Sequence, residues 1–380
     1  MSDKPENANE ECVGPSSELA GKAASCEGCP NQGACASGEG RKENQPDPSI
    51  VSAMSRIKNR VLVLSGKGGV GKSTFSGQLA YGLAKRGLKV GLLDVDICGP
   101  SIPTIMGLRG REVHQSASGW SPVYVDIQSS ENEEGELAVM SIGFLMPDQD
   151  AAVIWRGPRK NGLLTQFFGA VDWGELDYLI VDTPPGTSDE HISIVQLLKA
   201  TLKPTDGAII ITTPQEVAMS DVRKELNFCK QTSIRVIGIV ENMAPLTVPI
   251  KNLKFTNTTS EDVTEQTLKT LKEKCPDVFA NISVTIDVFQ TSGGGPQKMA
   301  QIFQVPFIGK VPLDPELQLA CDKGLPNAFS LAGPSTEPIK RVVQFVIDST
   351  NPNIFLEKKQ KSGIPSTGGV VSVRNGKIVM

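Results

Sequence analysis

Eight consecutive residues, Gly66, Lys67, Gly68, Gly69, Val70, Gly71, Lys72 and Ser73, satisfy the pattern G-x-x-x-x-G-K-[ST], and Thr74 follows them. Glycines so spaced let a backbone wrap a phosphate chain with successive N–H groups pointing inward. Lys72 is expected to reach the β- and γ-phosphates, and the Ser73 hydroxyl to bind Mg²⁺. A helix beginning near Lys72 adds the positive end of its dipole. A second lysine, Lys67, lies inside the loop, where an ordinary phosphate loop needs none. One cation at each end implies extra charge aimed at a transferring γ-phosphate, in this subunit or a neighbouring one.

Acidic residues complete the constellation. Asp94 and Asp96 end one apolar run and Asp182 ends another. In a parallel sheet such carboxyl ends gather at the ligand-binding edge. Asp182 fits the acid that supports Mg²⁺ in phosphate-loop NTPases. Asp96 is the candidate for orienting or deprotonating the attacking water. Asp94 is either its supporting neighbour or a simple turn residue. In the stretch Asp182-Thr183-Pro184-Pro185-Gly186, the Gly186 N–H is expected to face the γ-phosphate. The N-K-x-D guanine signature is absent. Asn242, after the run Arg235–Glu241, either pairs with the adenine edge, favouring ATP, or satisfies nearby backbone.

The second constellation is sulfur. Cys12, Cys26, Cys29 and Cys35 follow the spacing C-x13-C-x2-C-x5-C. Four thiolates suit a tetrahedral Zn²⁺ or an iron–sulfur cluster. Only one C-x-x-C knuckle is present, whereas zinc ribbons pair two. Cys98, Cys229 and Cys321 are isolated and are expected to pack as small apolar residues.

These residues need a frame. The 380-residue chain is 39% hydrophobic and 21% charged, ordinary globular chemistry, with a formal net charge of −4. That charge argues against nucleic acid or an anionic membrane as partner, and no apolar run is long enough to span a bilayer. The polar, acidic start is no secretory signal, so a reducing, cytoplasmic setting is expected, without disulfides. Residues 1–50 lack hydrophobic periodicity and read as a cysteine-bearing segment plus a linker, Gly38–Pro48, which a metal centre would order. Residues 51–350 read as one α/β domain. Apolar runs at Val61–Ser65, Val90–Asp96, Ala138–Ile142, Tyr178–Asp182, Gly207–Thr212 and Arg235–Glu241 alternate with helical patterns at Ser73–Arg86, Lys160–Phe168, Asp189–Lys199 and Glu216–Lys230. The expected fold is therefore a doubly wound, mostly parallel sheet with helices on both faces. Lys251–Phe289 reads as a polar insertion with one helix around Val263–Lys274, and Pro315–Lys323 and Glu337–Asp348 as closing helices. Residues 351–380 read as a mobile tail.

The loop with its second lysine resembles the deviant phosphate loop of MinD- and Mrp-like dimeric ATPases. Asp94–Ser101 (DVDICGPS), Trp155–Gly162 (WRGPRKNG), Asp182–His191 (DTPPGTSDEH) and Ile239–Met243 (IVENM) narrow the resemblance to the Mrp/Nbp scaffolds. The four-cysteine segment resembles the Nbp branch, the cytosolic iron–sulfur cluster assembly ATPases. The resemblance implies a homodimer, or a hetero-oligomer with a related scaffold, that uses ATP and Mg²⁺ to assemble 4Fe–4S clusters and transfer them to cytosolic and nuclear apoproteins. It implies a 4Fe–4S cluster on Cys12, Cys26, Cys29 and Cys35, with Lys67 acting across the dimer. Lys72 and Ser73 would bind phosphate and Mg²⁺, Asp96 would assist hydrolysis and Asp182 would support the metal. One departure stands out. Most of the family carries a C-x-x-C pair after the Glu-Asn-Met stretch, where two subunits share a bridging cluster. Here Ala244–Pro249 follows without cysteine, as in the plant-type form of the branch. Cys275 is then either a ligand for such a cluster or an ordinary half-buried thiol.

Three other functions fit parts of the pattern. One is a MinD/ParA-like positioning ATPase, although the tail Ile354–Met380 lacks a basic amphipathic face. Another is an ATP-gated electron donor whose cluster is never transferred. The last is an ATPase with a structural zinc tail.

Overall fold

The computed structural model describes residues 7–9, 11–14, 17, 19–37, 46–117, 119–127, 135–146, 157–289, 291, 293–326, 333–351, 373–374 and 377–378. Most of the linker Gly38–Pro48, Trp155 and most of the C-terminal tail lie outside these residues. The described part of the tail contains a two-strand ladder, Val373–Arg374 with Lys377–Ile378.

Among the described residues eleven strands precede it: β1 (Ile57–Leu64), β2 (Lys89–Asp94), β3 (His114–Ser116), β4 (Gly119–Ser121), β5 (Val123–Val125), β6 (Glu136–Ser141), β7 (Leu176–Asp182), β8 (Gly207–Thr212), β9 (Val236–Pro249), β10 (Ser283–Ile286) and β11 (Phe307–Leu313). Nine of them form one sheet in the order β10-β9-β8-β1-β7-β2-β6-β5, with β11 also on β9. The pairings from β6 through β9 and onto β11 are all parallel. Only β5 and β10, at the two ends, run antiparallel to their neighbours.

The runs that are apolar throughout resolve into two alternating sets, as the two-residue period of a strand requires. Leu62, Leu64, Leu179, Val181, Ala208 and Ile210 belong to one core. Val61, Val63, Tyr178, Ile180, Ile209 and Ile211, from the same strands, belong to the other. Leu164, Phe167, Ile194 and Met219, from helices Gly157–Gly169, Asp189–Lys199 and Glu216–Thr232, cover the first face. Leu79 and Val343, from helices Lys72–Ala84 and Thr336–Thr350, cover the second. This is the doubly wound arrangement expected from the sequence.

The differences have local causes. β1 begins at Ile57, earlier than the apolar run, because Arg60 is accepted inside the sheet. Its side chain is 1% exposed, and its Nε donates to Asp206 Oδ2 at 3.0 Å. β9 continues past Glu241 as far as Pro249, since β11 pairs with it on to Leu246 and β10 pairs with it from Leu246 to Pro249. The insertion therefore holds β10 and a second helix, Pro276–Asn281, besides the expected helix at Thr264–Lys274. β11 and the helices Pro48–Ser55 and Gly295–Phe303 complete the domain.

Candidate nucleotide and thiol sites

β1 delivers the chain into the loop Ser65–Gly71, and the helix Lys72–Ala84 follows at once. Gly71 is the N-cap, in the left-handed region at φ 82°, and no side chain caps the helix. The first-turn N–H groups thus face the loop rather than a capping oxygen, the arrangement that receives anions. The left-handed backbone favours glycine there, and a Cβ at Gly71 would lie 2.4 Å from Asn242 Nδ2 and displace that amide. The loop opens on a cavity of about 700 Å³ at the carboxyl edge of the sheet. Lys67, Lys72, Ser73, Thr74, Asp96 and Asn242 all line it.

Strand order brings the charged groups together. Asp94 and Asp182 are register partners on β2 and β7. Lys72 is buried, and its Nζ lies 2.7 Å from Asp182 Oδ1. The Ser76 hydroxyl donates to the same oxygen at 2.7 Å. Asp182 Oδ2 is buried without a hydrogen-bond partner. Such an orphan acceptor fits a place beside a hydrated divalent cation, with Ser73 Oγ on the same wall.

Asp94 is fully buried, and burial followed by the charge of Asp182 pushes its carboxyl up to about 8. The Ser141 hydroxyl donates to its Oδ2 at 2.9 Å, and the Asp96 N–H to its Oδ1 at 3.1 Å. Asp94 thus both shapes the turn and holds the backbone of Asp96. Asp96 itself is half-buried, and burial raises its pKa against the pull of Lys72.

Three further expected nucleotide contacts are otherwise occupied. The Gly186 N–H donates to the Ser65 carbonyl at 2.8 Å rather than facing the cavity. Asn242 Nδ2 donates to the Val70 carbonyl at 2.8 Å, the backbone-satisfying alternative, so its amide holds the phosphate loop. Lys67 Nζ pairs with Asp221 Oδ2, on helix Glu216–Thr232, at 2.9 Å. That helix is packed so close that a Cβ on Gly66 would lie 2.7 Å from Asp221.

Sequence reasoning missed Ser76, Ser141 and Asp221; each is an ordinary polar residue on its own and acquires a role only through the packing. It also missed a bridge behind the site, where Lys160 Nζ lies 2.7 Å from Glu190 Oε1. Burial raises the Glu190 pKa, but hydrogen bonds from Lys160 and Ser188 outweigh it and bring it down to about 2. His191 is buried and, through burial, lowered to about 4, so it is neutral at pH 7.

At the other end of the chain, Cys12, Cys26, Cys29 and Cys35 line a single small cavity. A 3-10 turn at Ala24–Cys26 and a helix at Gln32–Ser37 carry two of them, Cys26 and Cys35, so the segment has more structure than its composition suggests. Asn9 Nδ2 donates to the carbonyls of Ser25 and Glu27, tying the Cys12 arm to the Cys26–Cys29 loop. The Gly14 N–H points at Cys12 Sγ at 3.4 Å. Burial, then the proximity of Cys12, Cys29 and Cys26, raises the Cys35 thiol. No three His, Cys, Asp or Glu side chains among the described residues stand close enough to hold a single metal ion.

The remaining cysteines divide. Cys229 and Cys321 are buried, as expected. Cys98 is exposed and accepts a hydrogen bond from Lys160 Nζ at 3.5 Å, so it does not pack. Cys275 is exposed between the two insertion helices, not half-buried.

The chain matches the model of the ParA family described as NUBPL iron-transfer P-loop NTPase over residues 56–276. Among solved structures it is similar to a nucleotide-binding protein from Archaeoglobus fulgidus in complex with ADP. The two share 34% identity over 73% of this chain and 90% of that one, with a TM-score of 0.51. The cell-division ATPase MinD of Pyrococcus furiosus shows 17% identity over 76% and 98%, with a TM-score of 0.49. The MinC:MinD complex of Aquifex aeolicus shows 19% over 76% and 95%, with 0.47. With these last two the likeness is one of fold. No helix among the described residues is long and apolar enough to cross a membrane.

Proposed function

The chain belongs to the NUBPL iron-transfer P-loop NTPase family, and from that premise we propose that it is an ATP-hydrolysing scaffold that assembles 4Fe–4S clusters and hands them to apoproteins. The observation that carries the reading is the presence, in one chain, of four thiols around one cavity and a two-lysine phosphate loop. We place the protein in the cytosolic Nbp branch, working as a homodimer or with a related scaffold.

In this reading ATP lies with its phosphates against the loop N–H groups and the helix N-terminus. Lys72 neutralises the β- and γ-phosphate charge; Ser73 and Asp182 would hold Mg²⁺, which would neutralise developing charge on the phosphates. Asp96 orients the attacking water and Asp94 fixes the Asp96 backbone. Lys67 leaves Asp221 and meets the γ-phosphate of a facing subunit. That exchange links the nucleotide state to subunit arrangement, a two-state element able to gate cluster loading or release.

Cys12, Cys26, Cys29 and Cys35 would hold a resident 4Fe–4S cluster, which supplies a tunable redox and transfer-competent iron centre. Their convergence on one cavity fits a polynuclear group, and a backbone N–H directed at a sulfur is a means of tuning one. Anaerobic reconstitution tests the reading. About four irons with matching acid-labile sulfide per subunit are expected, and alanine at any of the four cysteines should lower both without loss of nucleotide binding. Unaltered iron and sulfide in all four variants would remove the assignment. A colourless, zinc-loaded product would favour the structural zinc tail instead.

A further inference from the structure

The cavity at the phosphate loop is lined by more than the loop itself. The apolar side chains of Phe75, Ile105, Leu317 and Ile339 also face it. Gln78 lines it too and is fully buried. Gln78 Oε1 has no hydrogen-bond partner, and its Nε2 reaches only the Cys321 sulfur, at 4.0 Å. A buried amide oxygen left unsatisfied is unusual, and in a cavity wall it marks the place of a ligand donor. Gln78 lies six residues beyond Lys72 on the same helix, an axial separation of about 9 Å. The phosphate and amide ends of the cavity are therefore set apart along one rigid element. Asn242, the base-reading candidate of the sequence, has its amide nitrogen held by the Val70 carbonyl.

We propose that Gln78 is the residue that reads the purine base. Its Oε1 accepts a hydrogen bond from the exocyclic 6-amine of adenine, while the apolar walls hold the ring faces. A purine with a keto oxygen at that position brings acceptor against acceptor, so the site selects ATP. The inference rests on the nucleotide-binding reading above and adds its specificity to it.

Calorimetric titration with ATP, inosine triphosphate and base-free tripolyphosphate tests it. Wild type should bind ATP about tenfold more tightly than inosine triphosphate, the scale of one good base contact. Gln78→Met should bind both equally and bind tripolyphosphate as wild type does. Retention of the ATP preference in Gln78→Met, or no preference in wild type, overturns the proposal while leaving nucleotide binding intact. Wild type that binds none of the three sinks the parent reading as well. A second measurement needs no variant. The Gln78 side-chain amide resonance of the full chain should move on addition of ATP and stay in place with tripolyphosphate; movement with neither overturns the assignment.

Discussion

Lys67 and Asp221 form an ion pair of 2.9 Å within one chain, between the phosphate loop and the helix packed beneath it. The same carboxylate binds Lys224 at 2.8 Å, and the hydrogen bonds from Lys224 and Lys67 hold its pKa below the usual range. Lys67 is half exposed, so the pair is screened and weak enough to exchange for a phosphate.

Removing that hold should favour the exchange. Asp221→Asn is predicted to leave ATP affinity within about twofold and to raise steady-state ATP turnover by roughly threefold, the scale of a screened ion pair. Turnover equal to wild type would show that the pair does not restrain Lys67.

Binding and chemistry should separate between two residues. Lys72→Ala is predicted to abolish detectable ATP binding. Asp96→Ala is predicted to bind ATP normally and to hydrolyse it about 100-fold more slowly, the lower range for a positioned base. Normal single-turnover hydrolysis by Asp96→Ala would refute its role.

Asp94 predicts a pH signature in the ligand-free protein. Burial and the charge of Asp182 hold its folded-state pKa at about 8, whereas the unfolded chain releases this proton near pH 4. The folded state thus binds the extra proton between these values. The contribution is full below about pH 4 and declines as pH rises toward 8, by at most about 1.4 kcal/mol per pH unit. Asp94→Asn stays neutral and should lack that decline. Parallel stability–pH curves for the two proteins would contradict the assignment.

At the opposite edge, Arg60 and Asp206 are 1% and 3% exposed and paired. Asp206→Ala strands the guanidinium inside the sheet and should destabilise the domain by about 3–5 kcal/mol. Urea unfolding measures this, and the folded fraction should keep wild-type ATP affinity. A loss below about 1 kcal/mol would mean that water reaches Arg60.

The sheet was legible because Leu62, Val63, Leu179 and Ile180 sit in runs apolar on both faces, and only a covered parallel sheet explains such runs. Lys72 and Ser73 were legible because the loop motif places chemistry within eight adjacent residues. Asp221, Ser76 and Ser141 were not, because their partners are chosen by strand order and helix packing, which no local pattern encodes. Arg60 hid the start of β1, since its charge breaks the apolar run while Asp206 satisfies it from 146 residues away. Asn242 was found at the correct edge, but its amide holds the loop. Its nearest acceptor is a backbone carbonyl, and backbone carbonyls leave no trace in residue type.

β9 ties two regions of the molecule to one backbone. Asn242 is bonded to the Val70 carbonyl of the phosphate loop. Further along the same strand, Leu246 is paired with β10 on one side and β11 on the other. Between them Met243 adopts the left-handed region at φ 59°, so the strand bends as it passes from the loop to the base of the insertion. Any shift of the phosphate loop that pulls on Asn242 is therefore delivered to the β10 pairing through covalent bonds, with no side-chain contact needed to relay it.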